Sequence, residues 1–477
     1  MPSLNKDILF LVFEELQEDA KSLFSCLMVN KTWCETAVPI LWRNPWRYNI
    51  NYITSVQQFE IIATYLSDDT KEFLTEKGIQ LPSIPLYFDY ISFCRSFNVP
   101  VLNNMISVRS SEPRNQSILQ EIYNLIARKC EMKYLNIESI KHQIFYSPEA
   151  KARLESLCEL KCDTSIDSSY FEGLASICHD IQRLIIINKS LLLNNPLVKL
   201  IRKQKNLKYF EWKDDFGSGD YVEDPYREIF LALQKSADTL NFLIITFEYI
   251  ENYNYEQIPL QDELLTKLRK LKTLIITGDV LITFSDDHLK KMVYPELEVF
   301  NMDFISLCET SSIIENSGGH LKELPLSYDY YDNCYDNIDD DESLIFIRRI
   351  YGKCPKIENL SLLLICSNQY FTEFERVLKD CQKLKTLTLR VVNIEEETSE
   401  ELLSILIRSA PTNLREIRFL NNFKFSLKSL EEFLEGWRGR DAISIHTTNS
   451  THKGDDYVNL INGYINEGVV KEFKYDP

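Results

Sequence analysis

Residues 370–392 read YFTEFERVLKDCQKLKTLTLRVV, and this stretch decides the fold. Its first half, through Cys381, has the periodicity of a helix. Its second half sets Leu384, Leu387 and Leu389 at i, i+3 and i+5, with Thr386 and Thr388 between them, which is the alternation of a half-buried strand. Cys381 stands three residues before the first leucine, a small side chain where helix hands over to strand.

The phrase recurs about twelve times beyond residue 116, a periodicity that marks a repeat architecture. It appears as Met132, Leu135, Ile137; Leu157, Leu160, Cys162; Ile181, Leu184, Ile186; Leu207, Phe210, Trp212; Leu240, Leu243, Ile245; and Leu271, Leu274, Ile276. It continues as Leu297, Phe300, Met302; Leu321, Leu324, Leu326; Ile357, Leu360, Leu362; the quoted stretch; Leu414, Ile417, Phe419; and a weaker version centred on Ile443. Steps between central residues run from 24 to 36, several of them lengthened by insertions. The segments between triplets, such as SILQEIYNLIARKC, YREIFLALQKSA and TSEELLSILIRSA, read as helices, and Thr398-Ser399 offers a start ahead of Glu401.

One strand and one helix cannot bury their inner face alone, so neighbouring repeats must stack into a solenoid with a parallel sheet inside and helices outside. The expected fold class is α/β, with an all-helical N-terminal element (1–46), a connector (47–116) and a repeat domain (117–477). A doubly wound α/β enzyme would also alternate strand and helix. The short regular step, the lack of a Gly-rich phosphate loop and a total of 13 glycines argue against it. The repeats resemble those of leucine-rich-repeat proteins of the cysteine-containing kind, which implies a horseshoe. Cys178, Cys354 and Cys381 share one slot with Ala237 and Gly318, so small size and packing account for them better than redox or metal chemistry. In the connector, FEIIATYLSDDTKEFL (59–74) reads as a helix and LYFDYISFC (86–94) as a buried apolar run. The region is too apolar for a flexible linker and is expected to weld the N-terminal element to the first repeats, with one or two irregular capping repeats within it.

The N-terminus reads LNKDILFLVFEEL (4–16), then SLFSCLMVNKTWCETAVPILW (22–42). Asn5 is a good N-cap and Asp7 an acid in the first turn. Ile8 to Phe13 follow without a polar residue, more apolar surface than one stripe of about 100°. So short a segment cannot shield this hydrocarbon alone and must pack on the rest of the chain or on a partner. Leu4, Asp7, Ile8, Leu9, Phe13 and Leu16, then Leu23, Leu27, Val29, Lys31, Trp33, Pro39, Leu41 and Trp42, resemble the F-box in order and spacing. One departure is Asn5, where that family usually has proline. The resemblance implies three short helices that dock a Skp-type adaptor of cullin-RING (SCF) ubiquitin ligases through Leu4, Ile8, Leu9, Phe13, Leu16, Leu27, Val29, Trp33 and Trp42. An ordinary helical hairpin in the core of one large domain is the plainer alternative.

Net charge is −18, which argues against nucleic acid or an anionic membrane as the main partner. No apolar run reaches membrane-span length and no signal peptide is read, so the expected location is cytoplasm, nucleus or both, with reduced cysteines. No C-x-x-C pair, H-E-x-x-H, G-x-S-x-G or P-loop pattern occurs. No catalytic residue, metal ligand or cofactor site is nominated, and the chain is not expected to be an enzyme.

The insertions follow strands and read DDFGSGDYVEDPY (214–226), TFEYIENYNYEQIP (246–259) and SYDYYDNCYDNIDDDE (327–342), mixing tyrosine with acid. Tyr221, Tyr249, Tyr253, Tyr328, Tyr330 and Tyr331, with Asp339, Asp340, Asp341 and Glu342, are candidates for binding a basic segment of a client protein. Solvated loops with locally packed tyrosines are the alternative. The whole reads as a substrate-recognition adaptor of an SCF-type ligase, or else as a non-ligase interaction scaffold.

Overall fold

The computed structural model describes residues 5–47, 52–82, 85–107, 114–141, 148–190, 192, 194–216, 226–248, 260–278, 282–325, 340–365, 367–392, 396–420 and 423–475. The chain forms two compact units, one of Met1–Gly217 with Val222–Ser236 and the other of Ser218–Tyr221 with Ala237–Pro477. The first therefore holds the N-terminal helices, the connector and the early repeats.

Three helices open this unit: α1 (Lys6–Glu15), α2 (Ala20–Cys26) and α3 (Lys31–Leu41). Each begins on a side-chain cap: Asn5 accepts from the Asp7 N–H, Asp19 from Ser22 and Asn30 from Trp33. Leu9, Phe13, Leu23, Cys26, Ala37, Ile40 and Leu41 make a small core of their own, and Leu16, Leu27, Trp33 and Trp42 pack at its edges. The connector is fastened to it at several points. The Arg95 N–H donates to the Arg43 carbonyl at 2.8 Å, Trp46 Nε1 donates to the Ser96 carbonyl at 3.1 Å, and the Trp42 and Tyr90 ring centroids lie 4.7 Å apart. Two expectations for the connector need correction. Residues 59–74 span two helices, Tyr52–Ala63 and Asp68–Glu76, divided at Ser67, whose N–H and hydroxyl turn to the Glu121 carboxylate. In 86–94 only Ile91 and Cys94 are buried, while Tyr87 lies on the surface.

The strands of the first unit are β1 (Ser96–Asn98), β2 (Tyr134–Asn136), β3 (Glu159–Asp163), β4 (Arg183–Asn188) and β5 (Tyr209–Asp214), parallel and adjacent in chain order. Leu135, Leu160, Leu184 and Phe210, the central residues of successive triplets, stand directly opposite one another. β1 carries a further triplet, Cys94, Phe97 and Val99, all buried, inside the stretch read as connector. At the C-terminal ends of β4 and β5 a polar network interrupts the apolar core. Asp214 is 5% exposed and accepts from Asn188 Nδ2 at 2.9 Å, Trp212 Nε1 at 2.8 Å and the Tyr226 hydroxyl at 2.7 Å.

The second unit continues with β6 (Phe242–Thr246), β7 (Thr273–Thr277), β8 (Val299–Met302), β9 (Glu323–Leu324), β10 (Asn359–Ile365), β11 (Thr386–Val392), β12 (Glu416–Leu420), β13 (Ile443–Thr447) and β14 (Val470–Tyr475). All neighbours are again parallel and in chain order. The strand register corrects one central residue: Ile445, not Ile443, stands opposite Ile417. Among the described residues no helix is long and apolar enough to cross a membrane.

The shared small-residue slot has a direct cause. A methyl built on Gly318 would sit 1.9 Å from the Pro295 carbonyl oxygen, so the helix-to-strand turn lies against the backbone of the repeat before it. Cys178 fills the slot by donating its thiol to the Leu154 carbonyl at 3.3 Å. Burial pushes the thiols of Cys178, Cys354 and Cys381 up to about 12, which keeps them protonated and unreactive. Gly318→Ala should therefore cost the second unit about 2–3 kcal/mol, read as a lower urea midpoint, because backbone rather than a flexible side chain must yield.

His452 closes the C-terminal end of the second unit, fully buried and stacked on Phe425 with ring centroids 3.9 Å apart. Burial, aided by the charge of Lys424, pulls its pKa from 6.5 down to about 4 against a hydrogen bond with Phe425 backbone. The unfolded chain thus binds the proton more tightly. Stability is full above pH 6.5 and falls as the pH drops towards 4, by about 3 kcal/mol in all. Denaturation series at pH 7 and pH 4.5 should show His452→Phe losing less stability on acidification than the parent.

Candidate docking surfaces

Fourteen large apolar side chains are exposed among the described residues, and seven of them lie between residues 8 and 29: Ile8, Phe10, Leu11, Val12, Phe24, Met28 and Val29. Helix geometry explains the division within α1. Leu9, Phe13 and Leu16 follow at steps of four and three on the side facing α3, whereas Ile8 and Val12, four apart and one position earlier, emerge outside with Leu11. Leu9 and Phe13, 2% and 1% exposed, belong to the core of the three-helix element rather than to its surface. Of the other residues singled out in the sequence, Ile8 and Val29 are about half exposed. Leu16 and Leu27 are half-buried at the core edge, and Leu4 lies outside the described residues. Trp33 lies edge-on to Phe13 at 5.2 Å, and Trp42 turns to Tyr90, so both rings are engaged inside the unit. Phe10, Leu11, Val12, Phe24 and Met28 are the exposed residues that sequence reading left out.

Around α3 the surface turns polar. Glu35 accepts from the Tyr87 hydroxyl at 3.0 Å and pairs with Lys6 at 3.7 Å and Lys31 at 3.8 Å. This arrangement, apolar side chains beside exposed ion pairs, is the anatomy of a protein–protein contact.

The polar face of each sheet is the second candidate. In the first unit Tyr134, Glu159, Arg183 and Tyr209 form one cross-strand row, with Asn136, Lys161, Ile185 and Glu211 beside it. In the second, Thr386, Glu416, Ser444 and Glu472 run beside Thr388, Arg418, His446 and Lys474. Opposite charges pair within these rows, as Arg183 with Glu159 at 3.7 Å and Lys474 with Glu472 at 2.8 Å, so neither face presents a field of one sign.

The third candidate is largely out of view. Tyr221, Tyr249, Tyr253, Tyr328, Tyr330, Tyr331 and Asp339 lie outside the described residues. Asp340, Asp341 and Glu342 open the helix Asp340–Lys353, where the acids Asp341 and Glu342 complement the helix dipole.

No family model matches this sequence, and no characterised protein is similar enough to it to place it in a family. What stands is the architecture: in each unit, an open, all-parallel α/β repeat stack, preceded in the first by a three-helix element with exposed apolar side chains.

Proposed function

We propose that the chain is the substrate-recognition subunit of an SCF-type ubiquitin ligase. In this reading the three-helix element is an F-box that docks a Skp-type adaptor, the repeats are leucine-rich repeats that hold a protein client, and the chain performs no chemistry of its own. The observation that carries it is the concentration of exposed apolar side chains on helices that already have a complete core. Hydrocarbon left outside a filled core is stabilised only by a second molecule, and the motif spacing around it resembles the F-box. The connector's fastening supports a fixed separation between adaptor and client, which a ligase needs to hold client lysines near a charged conjugating enzyme.

Affinity capture of the full-length chain tests the reading. Recovery of both a Skp-type adaptor and a cullin is the expected result. Adaptor without cullin would support the non-ligase scaffold, and recovery of neither would overturn the assignment of the helices.

A further inference from the structure

A cavity of about 480 Å³ opens in the first unit where the end of α3 meets the polar face of β2, β3 and β4. Its walls carry three guanidinium groups, Arg43 and Arg47 from the turn after α3 and Arg183 from β4, together with Glu18, Glu159 and Asn44. From this wall chemistry we propose that the cavity receives the C-terminal carboxylate of a polypeptide, a client's end; the proposal rests on the client-binding reading above.

Arg183 is the central observation. Its guanidinium lies 3.8 Å from the centre of the Tyr209 ring, and its Nε is 3.7 Å from a Glu159 oxygen, an ion pair too long for a hydrogen bond. That nitrogen is buried and has no acceptor. The side chain as a whole is 43% exposed and lines the cavity, so the open part of its guanidinium can donate to an oxygen brought there. Glu159 has the complementary need. Burial raises its pKa despite the neighbouring Arg183 and Arg47, so added hydrogen-bond donors would favour its ionised form.

The mixed wall selects among anions. Arg43 is held by Glu14 at 2.7 Å, and Arg47 pairs with Glu18, so each guanidinium of the cavity has one carboxylate neighbour and the local charge balances. A phosphate dianion would enter a site with no net positive charge. The end of a polypeptide fits better, because a monoanionic carboxylate is followed by main-chain N–H donors: oxygens for the arginines, donors for Glu159. The volume lies within the range of about 300–1,000 Å³ typical of small-ligand sites, which admits the last few residues of a chain. Tyr134, at the cavity edge and 41% exposed, offers apolar contact to the side chain before them.

The test uses the full-length chain and three fluorescent random-sequence hexapeptide pools, read by anisotropy: free-acid ends, amidated ends, and amidated ends with one phosphoserine. Saturable binding of the free-acid pool, at least about tenfold tighter than either amide pool, is expected. Arg183→Gln and, separately, Arg47→Gln should each remove that preference. Arg47 is on the surface and pairs with the exposed Glu18, so its variant reports on binding even if the Arg183 variant folds poorly. Equal binding of acid and amide, preference for phosphoserine, or no saturable binding overturns the proposal. Displacement of the free-acid pool by acetate or glycine as readily as by unlabelled peptide would make this a small-carboxylate site and overturn it too. No adaptor is present in this assay, so failure here leaves the ligase reading intact, and failure of adaptor capture leaves the peptide result readable.

Discussion

Replacing Ile8 and Val29 together with glutamate should weaken capture of a Skp-type adaptor at least about 100-fold and leave the chain's own melting temperature nearly unchanged. The two effects separate because both side chains are already about half in water, at 48% and 55% exposure, so the folded chain gives up little packing. In a complex the balance reverses. Each side chain has about half of its surface left to bury, about 0.8–1.5 kcal/mol, and a carboxylate there would also have to leave water at a cost of at least about 1–3 kcal/mol. Two such losses exceed the roughly 2.7 kcal/mol that a 100-fold change represents. Leu9→Ala is the control with the opposite signature. It empties space in the core of the three-helix element and should cost about 2–5 kcal/mol of stability, with adaptor affinity falling only as the folded fraction falls. Titration calorimetry with purified adaptor, alongside thermal melts, reads both quantities. An Ile8→Glu/Val29→Glu variant that binds as the parent does would remove the apolar surface from the function.

Asp214→Ala should be among the most damaging single substitutions in the first unit. Its carboxylate accepts hydrogen bonds from three buried groups, the Asn188 amide, the Trp212 indole and the Tyr226 hydroxyl, at a site only 5% exposed. Stranding buried donors costs about 1–3 kcal/mol each, so a loss of about 4 kcal/mol is expected even after some relaxation. For a unit of this size that is a fall of about 10 °C in melting temperature. Asp214→Asn keeps one oxygen for the indole and the Asn188 amide, while its NH2 group can donate to the Tyr226 hydroxyl, so it should lose less than half as much. Equal losses for alanine and asparagine would assign the effect to shape or charge rather than to hydrogen bonding.

The repeat architecture was legible because each strand has one buried face. A period of two, bound to that face, leaves no freedom of register: Leu135, Leu160, Leu184 and Phe210 align as their spacing requires. Reading slipped where that signal thinned. Ile443 and Ile445 are both apolar and both buried, so alternation could not choose between them, and the ladder to Ile417 did. β1 falls where an irregular capping repeat is expected but not placed, because its triplet begins on Cys94 and is preceded by further aromatic residues that blur the phrase. β14 escaped for a related reason: its register shifts between Ile443 and Ser444 of its neighbour, and its second half is only half-buried.

The sequence by itself determined the strand-and-helix repeat, the order of the strands and the presence of an N-terminal helical element with surplus hydrocarbon, since all three follow from local periodicity. Tertiary structure alone decided which of that hydrocarbon faces outward. Ile8 to Phe13 contain no polar residue to set the phase of the helix, and only packing against α3 sends Leu9 and Phe13 inward and Ile8 and Val12 out. It alone also brought Arg43 and Arg47 to one cavity with Arg183, because residues so far apart in the chain meet through strand stacking, which no local pattern encodes.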